Sequence, residues 1–343
     1  MSYSKALIFS ILGIGAVVAG LGLHSQIVRA RTAKTEHTAT TEAYFPPGSP
    51  WTQDVSHAPV DPSSGKIIGW LSSVGGWGFG RMQSDFSIRV LQATPTTPVV
   101  PFHKGPGFFA TDSDLVSTVP LPAGGGMEGV EGYQCPIREG DCHFIVADRP
   151  HEKLYEAWEA TYAEGVLSAQ FLVVWDLSRV YPPSGRGDQC TSADAAGLPI
   201  APLLFNADEI AAGRIDHAIR FVLPNSRIRA KSYVHPATHA GAPRGPLNAP
   251  PMGARLRLKS SFDMSQLTPA GRVVARAMQK YGMFLSDGGN ITLTAQSDQD
   301  TTAKYAALGF GSHDMQAIKV TDFEVLDLGP VIRSSDDCVR NKF

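Results

Sequence analysis

The sequence carries little charge and no clear excess of either sign. Of its 343 residues, 18% are charged, and the formal net charge is −2. The lack of a basic excess removes the usual electrostatic argument for nucleic-acid binding. With 43% hydrophobic residues the chain is too apolar for a disordered protein, and its 34 glycines and 25 prolines are too many for a coiled coil. We therefore expect a globular protein without a nucleic-acid partner.

Several active-site signatures are also missing. The chain has no Gly-rich phosphate loop, no HExxH, no GxSxG and no CxxC sequence. His235 and His239 have the spacing of a two-histidine zinc site, but Pro236 between them spoils the helical face that such a site needs. The sequence therefore predicts neither a cofactor nor a metal.

One long hydrophobic run stands at the N-terminus. Lys5 precedes an unbroken small and apolar segment from Ala6 to Leu23, and Val28-Arg29-Ala30 has small residues where signal peptidase cleaves. Residues 1–30 are thus a signal peptide or a retained membrane anchor, since the run is just long enough to span a bilayer. Either alternative predicts a secreted, periplasmic or cell-surface protein that touches a membrane only through this segment.

The four cysteines are typical of an exported chain. Cys135 and Cys142 bracket a short loop and are close enough for a local disulfide, which leaves Cys190 to pair with Cys338. Three connectivities are possible for four cysteines, and this is the one we favour.

The rest of the chain is predicted to form a linker followed by one domain. Residues 31–62 are rich in Thr, Ala and Pro without periodicity, which is typical of a flexible tether. Residues 63–343 contain no comparable linker and no internal repeat. Short apolar runs between Gly/Pro turns predict a mainly β domain, a jelly-roll-like β-sandwich with a few short inserted helices. The clearest predicted strands are 86–90, 144–147, 171–175, 214–221, 254–259 and 323–326.

Two helices and one ambiguous segment complete this interpretation. Asn206 and Glu209 form a capping-box pattern closed by Gly213, and Thr268-Pro269 opens an amphipathic stretch that ends before Gly282. Residues 153–162 fit a helix or a strand. We favour a strand, on which Glu156 and Trp158 share one face.

Carboxylates and histidines supply the catalytic candidates. Glu156 lies beside Trp158, a pairing typical of a sugar subsite, and Asp194 lies in a turn of small residues just after Cys190. His217 alternates with aliphatic residues and His239 follows a proline turn, so either is a catalytic or a buried structural histidine. Asp208, Glu209 and Asp287 need no function, because helix capping and a Gly-Gly turn explain them.

A basic strand supplies the other binding candidates. Arg255, Arg257 and Lys259 alternate with apolar residues and present one cationic face, which is a solvated surface or a strip for acidic groups of a polymer. Tyr281 could return a proton in a lyase reaction on such a polymer.

The sequence also resembles a family of secreted proteins through a set of motifs. They lie at residues 141–148, 154–156, 191–200, 213–221, 250–259 and 280–289. The resemblance spans roughly residues 60–328 and implies export without naming a reaction. It singles out His143, Asp148, Glu156, Asp194, His217 and His239 as site residues.

These observations lead to three functional hypotheses. The first is an exported carbohydrate-active enzyme, a glycoside hydrolase with Asp194 and Glu156 as its carboxylate pair, or a polysaccharide lyase that uses His239. The second is a non-catalytic protein that binds a cell-surface glycan or another partner. The third gives every candidate a structural role. In the first hypothesis His217 assists catalysis, and the residues expected to contact the polysaccharide are His143, Asp148, Trp158, Arg255, Arg257 and Tyr281.

Overall fold

The structure is a computed structural model that describes residues 43–105, 112–135, 140–335 and 337–341. All of them belong to one compact unit, residues 39–343. The predicted signal peptide or anchor, 1–30, and the first part of the predicted linker lie outside the described residues. Within the described ranges, no helix is long and apolar enough to cross a membrane.

The described chain is mainly β with three short α-helices, which confirms the predicted fold class. The helices are α1 (Ser64–Ser73), α2 (Ala207–Ala211) and α3 (Pro269–Lys280). The strands are β1 (Ser84–Ile88), β2 (Leu91–Gln92), β3 (Val99–Lys104), β4 (Thr118–Pro120), β5 (Gly126–Met127), β6 (Val130–Glu131), β7 (Phe144–Asp148), β8 (Lys153–Trp158), β9 (Thr161–Ala163), β10 (Val166–Ala169), β11 (Phe171–Asp176), β12 (Ile219–Leu223), β13 (Ser232–Tyr233), β14 (Arg255–Leu258), β15 (Met283–Gly288), β16 (Leu293–Gln296), β17 (Phe323–Val325) and β18 (Ile332–Arg333). Short 3₁₀ helices lie at Pro50–Thr52, Gly78–Gly80, Arg149–His151, Ala201–Leu203, Asn225–Arg227, Met264–Gln266, Asp298–Asp300, Ala306–Leu308 and Val320–Asp322.

A six-stranded mixed sheet forms the largest layer. Its strand order is β1-β16-β12-β15-β14-β17, with β12 parallel to β15 and antiparallel to β16. The central strand β12 is apolar except for Arg220 and is buried along its whole length, and the first four residues of β15 are buried as well. Such continuous burial is expected of strands that are covered on both faces.

A second sheet, β11-β8-β7-β2, is also buried on both faces. Side chains alternate along its strands, so that Ile145 and Val173 join the core of the six-stranded sheet while Phe144 and Leu172 join a second core. That second core also contains residues of the β4-β3-β10-β9 sheet, such as Phe102 and Leu167. The β7-β8-β11 layer therefore lies between the two cores, and the pairs β13-β18 and β5-β6 form the remaining small sheets.

The two predicted helices are present with their predicted caps. The Asn206 side chain accepts from Glu209 N at 3.0 Å while the Glu209 carboxylate accepts from Asn206 N at 2.9 Å. In α3 the Thr268 hydroxyl accepts from Gly271 N at 3.0 Å, and Pro269 is the first helical residue. Residues 153–158 form strand β8, as favoured over the helix.

The segment assigned to the linker packs against the domain where it is described. Phe45, Trp51 and Val55 are 3–5% exposed, and the first two belong to the core of the six-stranded sheet. Trp51 O also accepts a hydrogen bond from Ala218 N at 2.7 Å. Residues 43–62 are therefore part of the folded unit, because their few large apolar side chains find core positions despite the polar composition around them.

Both favoured disulfides form. Cys135 is bonded to Cys142, and Cys190 is bonded to Cys338 across a separation of 148 residues. Two disulfides fit an extracellular protein. The second bond fastens the C-terminal segment to the loop that carries Asp194.

Candidate functional site

Five charged side chains meet where the two buried sheets approach each other. We call Glu128, His143, Asp194, Arg220 and Asp287 the Arg220 cluster. Arg220 is on β12 and Asp287 on the neighbouring strand β15, while Asp194 is in the loop after Cys190. His143 immediately precedes β7, and Glu128 lies in the turn between β5 and β6.

A β-bulge places Asp287 beside Arg220. Arg220 is paired with Phe284, and Phe221 with Leu285, but Val222 is paired with Asp287, so Ser286 is an extra residue. Because side chains alternate along a strand, this one-residue slip turns Asp287 onto the face of Arg220. Bulges of this kind are frequent beside active sites.

Arg220 joins two carboxylates. Its Nη2 donates to Asp194 Oδ2 at 3.0 Å and lies 3.8 Å from Asp287 Oδ2, while Nη1 donates to Thr294 Oγ1 at 2.8 Å. Both carboxylates approach the same nitrogen, so the nearest oxygens of Asp194 and Asp287 are at most about 7 Å apart. Asp194 Oδ1 also accepts from Ala196 N at 2.9 Å.

Burial raises the pKa of both aspartates. Desolvation raises the pKa of Asp194 to about 7, against the attraction of Arg220, and the charge of Asp287 adds to the rise. Burial likewise raises the pKa of Asp287, again against Arg220. Two carboxylates that share one guanidinium cannot both ionise easily, so this pair retains a proton well above the ordinary range.

Glu128 and His143 form the ionised part of the cluster. His143 Nδ1 donates to Glu128 Oε2 at 2.5 Å, and Nε2 donates to Ala193 O at 3.0 Å. Burial opposes the charge of each group, but their mutual attraction outweighs it and lowers the pKa of Glu128 to about 2 while raising that of His143 to about 9. Both ring nitrogens donate, which agrees with a charged imidazolium.

The cluster is open to solvent on one side. The Asp287 side chain is 30% exposed and that of Glu128 is 18% exposed, whereas Asp194 is fully buried. Exposed Asp141 accepts from the indole N–H of half-buried Trp158 at 3.1 Å, and its charge helps to raise the pKa of His143 and Asp287. The opening therefore has carboxylates of contrasting proton affinity with an aromatic ring near by.

Glu156 lies on strand β8, as predicted, but inside the protein. Its side chain is fully buried and accepts from Ile200 N at 2.9 Å, Ala201 N at 2.8 Å and Trp175 Nε1 at 2.9 Å. Burial raises its pKa, and these three donors oppose the rise. Glu156 therefore anchors the segment after Asp194 to β8, and the Asp194–Glu156 pair has no member at the surface.

The other histidine candidates have structural partners, and His217 is half-buried while His239 is buried. His217 Nε2 donates to Glu209 Oε1 at 3.0 Å and Nδ1 to Ala218 O at 2.8 Å, which ties α2 to the start of β12. The attraction of Glu209 outweighs burial and raises the pKa of His217. His239 is 1% exposed, and its Nδ1 bonds to Ala195 O at 2.9 Å. Neither reaches the opening, and the predicted strand 214–221 begins only at Ile219.

The predicted basic strip is used inside the protein. Arg255 donates to Tyr281 O and Gln53 O and lies 4.6 Å above the Phe284 ring, while Arg257 donates to Glu324 Oε1. Tyr281 precedes β15, and Asp287 is near its far end, so at about 3.3 Å per residue they are roughly 20 Å apart. Tyr281 is therefore too far away to join the Arg220 cluster, and the guanidinium groups of Arg255 and Arg257 are bonded to other partners.

Asp148 is separated from the cluster in the same way. It ends β7, whereas His143 precedes the strand, so the two are roughly 16 Å apart along it. Asp148 instead accepts from His151 Nδ1 at 2.8 Å. Of the predicted site residues, the structure brings together Asp194 and His143, with Trp158 beside them.

Sequence reasoning missed Glu128, Arg220 and Asp287. Two signals in the sequence were available for them: Arg220 lies within one of the family motifs, and Asp287 begins the Gly288-Gly289 turn. Glu128 has no local signal, because pairing of β5 with β6 and a bond to His143 bring it into place.

Two further features complete the description of the surface. A cavity of about 1030 Å³ lies between residues 48–53 and 180–184, and none of its lining residues belongs to the Arg220 cluster. Among the described residues there is no group of three or more His, Cys, Asp or Glu side chains arranged to hold a metal.

Comparisons of the chain with protein-family models, with curated proteins and with solved structures find no match. What the Arg220 cluster can do must therefore be argued from its own chemistry.

Proposed function

We propose that this chain is an exported carbohydrate-active enzyme that hydrolyses a polysaccharide at the Arg220 cluster. Asp287 is the general acid, and Glu128 is the base or nucleophile. Asp194 and Arg220 are positioning residues, because they set the proton affinity of Asp287 without facing solvent. The substrate is a polysaccharide or a cell-surface glycan.

The observation that carries this proposal is the contrast between two partly exposed carboxylates. Glu128 is ionised over the physiological range, since its pKa is about 2, whereas the pKa of Asp287 is raised. Paired acids whose environments push their pKa values apart are typical of glycoside hydrolysis, in which one protonates the leaving oxygen and the other attacks or activates water. Half-buried Trp158, whose indole N–H bonds to Asp141, is the aromatic side chain that we assign to sugar stacking.

A lyase that acts on uronates is supported less well. Such an enzyme needs cations to neutralise the substrate carboxylate, but Arg255 and Arg257 already bond to internal acceptors. The base expected for it, His239, is buried.

The proposal of export rests on the two disulfides together with the hydrophobic N-terminal run.

The test is a glycan-degradation screen of the full chain. Reducing ends are measured on neutral, acidic and amino-sugar polysaccharides, with Asp287→Asn, Glu128→Gln and Asp194→Asn beside the parent. Losing an acid or base should reduce kcat by about 10²-fold or more in the first two variants. Asp194→Asn keeps an oxygen for Ala196 N, so it should fold and shift the pH profile.

Two results would overturn the proposal. One is the absence of cleavage across the panel by folded, monodisperse protein, which would favour a non-catalytic glycan-binding role. The other is cleavage that survives both Asp287→Asn and Glu128→Gln.

A further inference from the structure

The opening of the Arg220 cluster is surrounded by acidic groups. We call Asp85, Glu128, Asp141 and Asp287 the acidic rim. The Ser87 hydroxyl donates to Asp85 Oδ2 at 2.7 Å and lies 3.3 Å from Glu128 Oε1, which links the first two. Asp141 is close enough to Asp287 for its charge to contribute to the raised pKa of Asp287.

The cations of the cluster lie beneath this rim. Arg220 is 2% exposed and His143 is 4% exposed, and both already bond to carboxylates. Among the described side chains at the opening, the carboxylates are therefore the ones that a ligand from solvent meets first. Such an arrangement attracts positive charge and repels anions.

Arg220 also has a donor without an acceptor. Its Nε has no hydrogen-bond partner among the described residues, although the side chain is almost fully buried. Nε and Nη2 lie on the same edge of a guanidinium and can donate to one carboxylate together. In Arg89, for example, these two nitrogens donate to the two oxygens of Asp300. Here Nη2 reaches Asp194 while Asp287 stays 3.8 Å away. A buried unpaired donor is costly, so this edge favours an incoming oxygen acceptor.

We propose that the site takes glycans whose sugar units carry a free amine, that is, de-N-acetylated amino sugars. The ammonium group pairs with Glu128 and Asp141 of the acidic rim, while Asp287 keeps the proton that it donates as the general acid. A sugar oxygen approaches the Arg220 edge, and the ring packs on Trp158. This inference rests on the proposed function, because it names the substrate class of the same site.

The experiment uses three matched oligosaccharides of equal length that differ only at C2. The substituent is an amine, an acetamide or a hydroxyl, and each triplet is made in β-1,4, β-1,6 and α-1,4 linkage. The full chain is assayed for reducing ends, and for binding by calorimetry, at low and high salt. We expect the amine member of one triplet to have the highest kcat/KM and to lose this advantage at high salt.

Asp141→Asn provides the residue-level test. Asn keeps an oxygen for the Trp158 indole but removes one rim charge. The KM for the amine oligosaccharide should rise about threefold to fivefold, since an exposed charge pair contributes up to about 1 kcal/mol. The KM for the acetamide member should change less, and the effect of the lost charge on the general acid Asp287 should appear in kcat equally for both members. Asp337→Asn, which removes an exposed carboxylate outside the rim, is the matched control and should change neither value.

The outcomes separate this inference from the proposed function. Cleavage of acetamide, hydroxyl or acidic glycans without preference for the amine would overturn the inference and leave the hydrolase proposal standing. An equal effect of Asp141→Asn on the KM values of the amine and acetamide members would also overturn it. No binding and no cleavage on any glycan would overturn both.

Discussion

The pairing of Glu128 with His143 gives the most quantitative prediction. The pKa of Glu128 is about 2 instead of 4.5, and that of His143 is about 9 instead of 6.5. Both displacements describe one contact, so they are not added. At about 1.4 kcal/mol per pKa unit, the contact stabilises the folded protein by roughly 3 kcal/mol. Glu128→Gln should therefore lower the free energy of unfolding by about that amount near pH 6.

The pH dependence of this loss follows from the direction of each displacement. The contribution of Glu128 is complete above pH 4.5 and is lost as the pH falls toward 2. The contribution of His143 is complete below pH 6.5 and is lost as the pH rises through about 9. The parent and Glu128→Gln should thus differ most between pH 4.5 and 6.5, and by less than about 1 kcal/mol at pH 10.

Urea denaturation at pH 6 and pH 10 measures this difference, and NMR titration of His143 measures its pKa. In Glu128→Gln the attraction of the Glu128 carboxylate no longer outweighs the effect of burial on the imidazolium. The pKa of His143 should therefore fall below 6.5. Glu131→Gln is the control, since that side chain is 83% exposed and lies 3.8 Å from Arg89. It should cost less than about 1 kcal/mol. A His143 pKa that stays near 9 in Glu128→Gln, or a stability loss that is the same at both pH values, would refute the reasoning.

Three further predictions concern the loop that carries Asp194. Gly197→Ala should destabilise the protein by at least about 2 kcal/mol in urea, because φ is +77° and a Cβ would lie 2.2 Å from Thr238 Oγ1; an unchanged midpoint would contradict this. Opening the Cys190–Cys338 bond by Cys338→Ser should cost about 2–5 kcal/mol and lower the melting temperature, whereas a melting curve like that of the parent would show that the bond does not restrain the loop. Glu156→Gln should lower stability by about 1–3 kcal/mol, since an amide presents one acceptor oxygen to three donors; a stable variant with selectively lost activity would instead return Glu156 to the catalytic role.

Local signals in the sequence predicted local structure well. The caps of α2 and α3 are side-chain bonds three residues apart, so Asn206 and Thr268 were sufficient to locate both helices. Strands β7, β8 and β11 followed from alternation and turn residues. Helix α1 was not predicted, because it has glycines at 65 and 69 and no capping bond, and burial of Ile67 and Leu71 stabilises it instead.

Only half of the candidate site could be predicted, because local signals do not reveal contacts between distant segments of the chain. Asp194 and His143 stood out through their sequence surroundings, but their partners come from other strands. Asp287 reaches Arg220 through a bulge in a parallel pair, and Glu128 reaches His143 through the β5–β6 turn. Pairings between distant segments and a shift of strand register leave no periodicity in the sequence, so the sequence favours Glu156 as the second carboxylate.

The most direct test of the central claim is the rate of glycan cleavage by the parent and Asp287→Asn at pH 5–8. We predict that the full chain releases reducing ends from at least one polysaccharide, and that Asp287→Asn folds like the parent but is about 10²-fold slower or worse. Equal rates for the two proteins, or no cleavage of any polysaccharide by the folded parent, would contradict the assignment of the Arg220 cluster as a hydrolytic site.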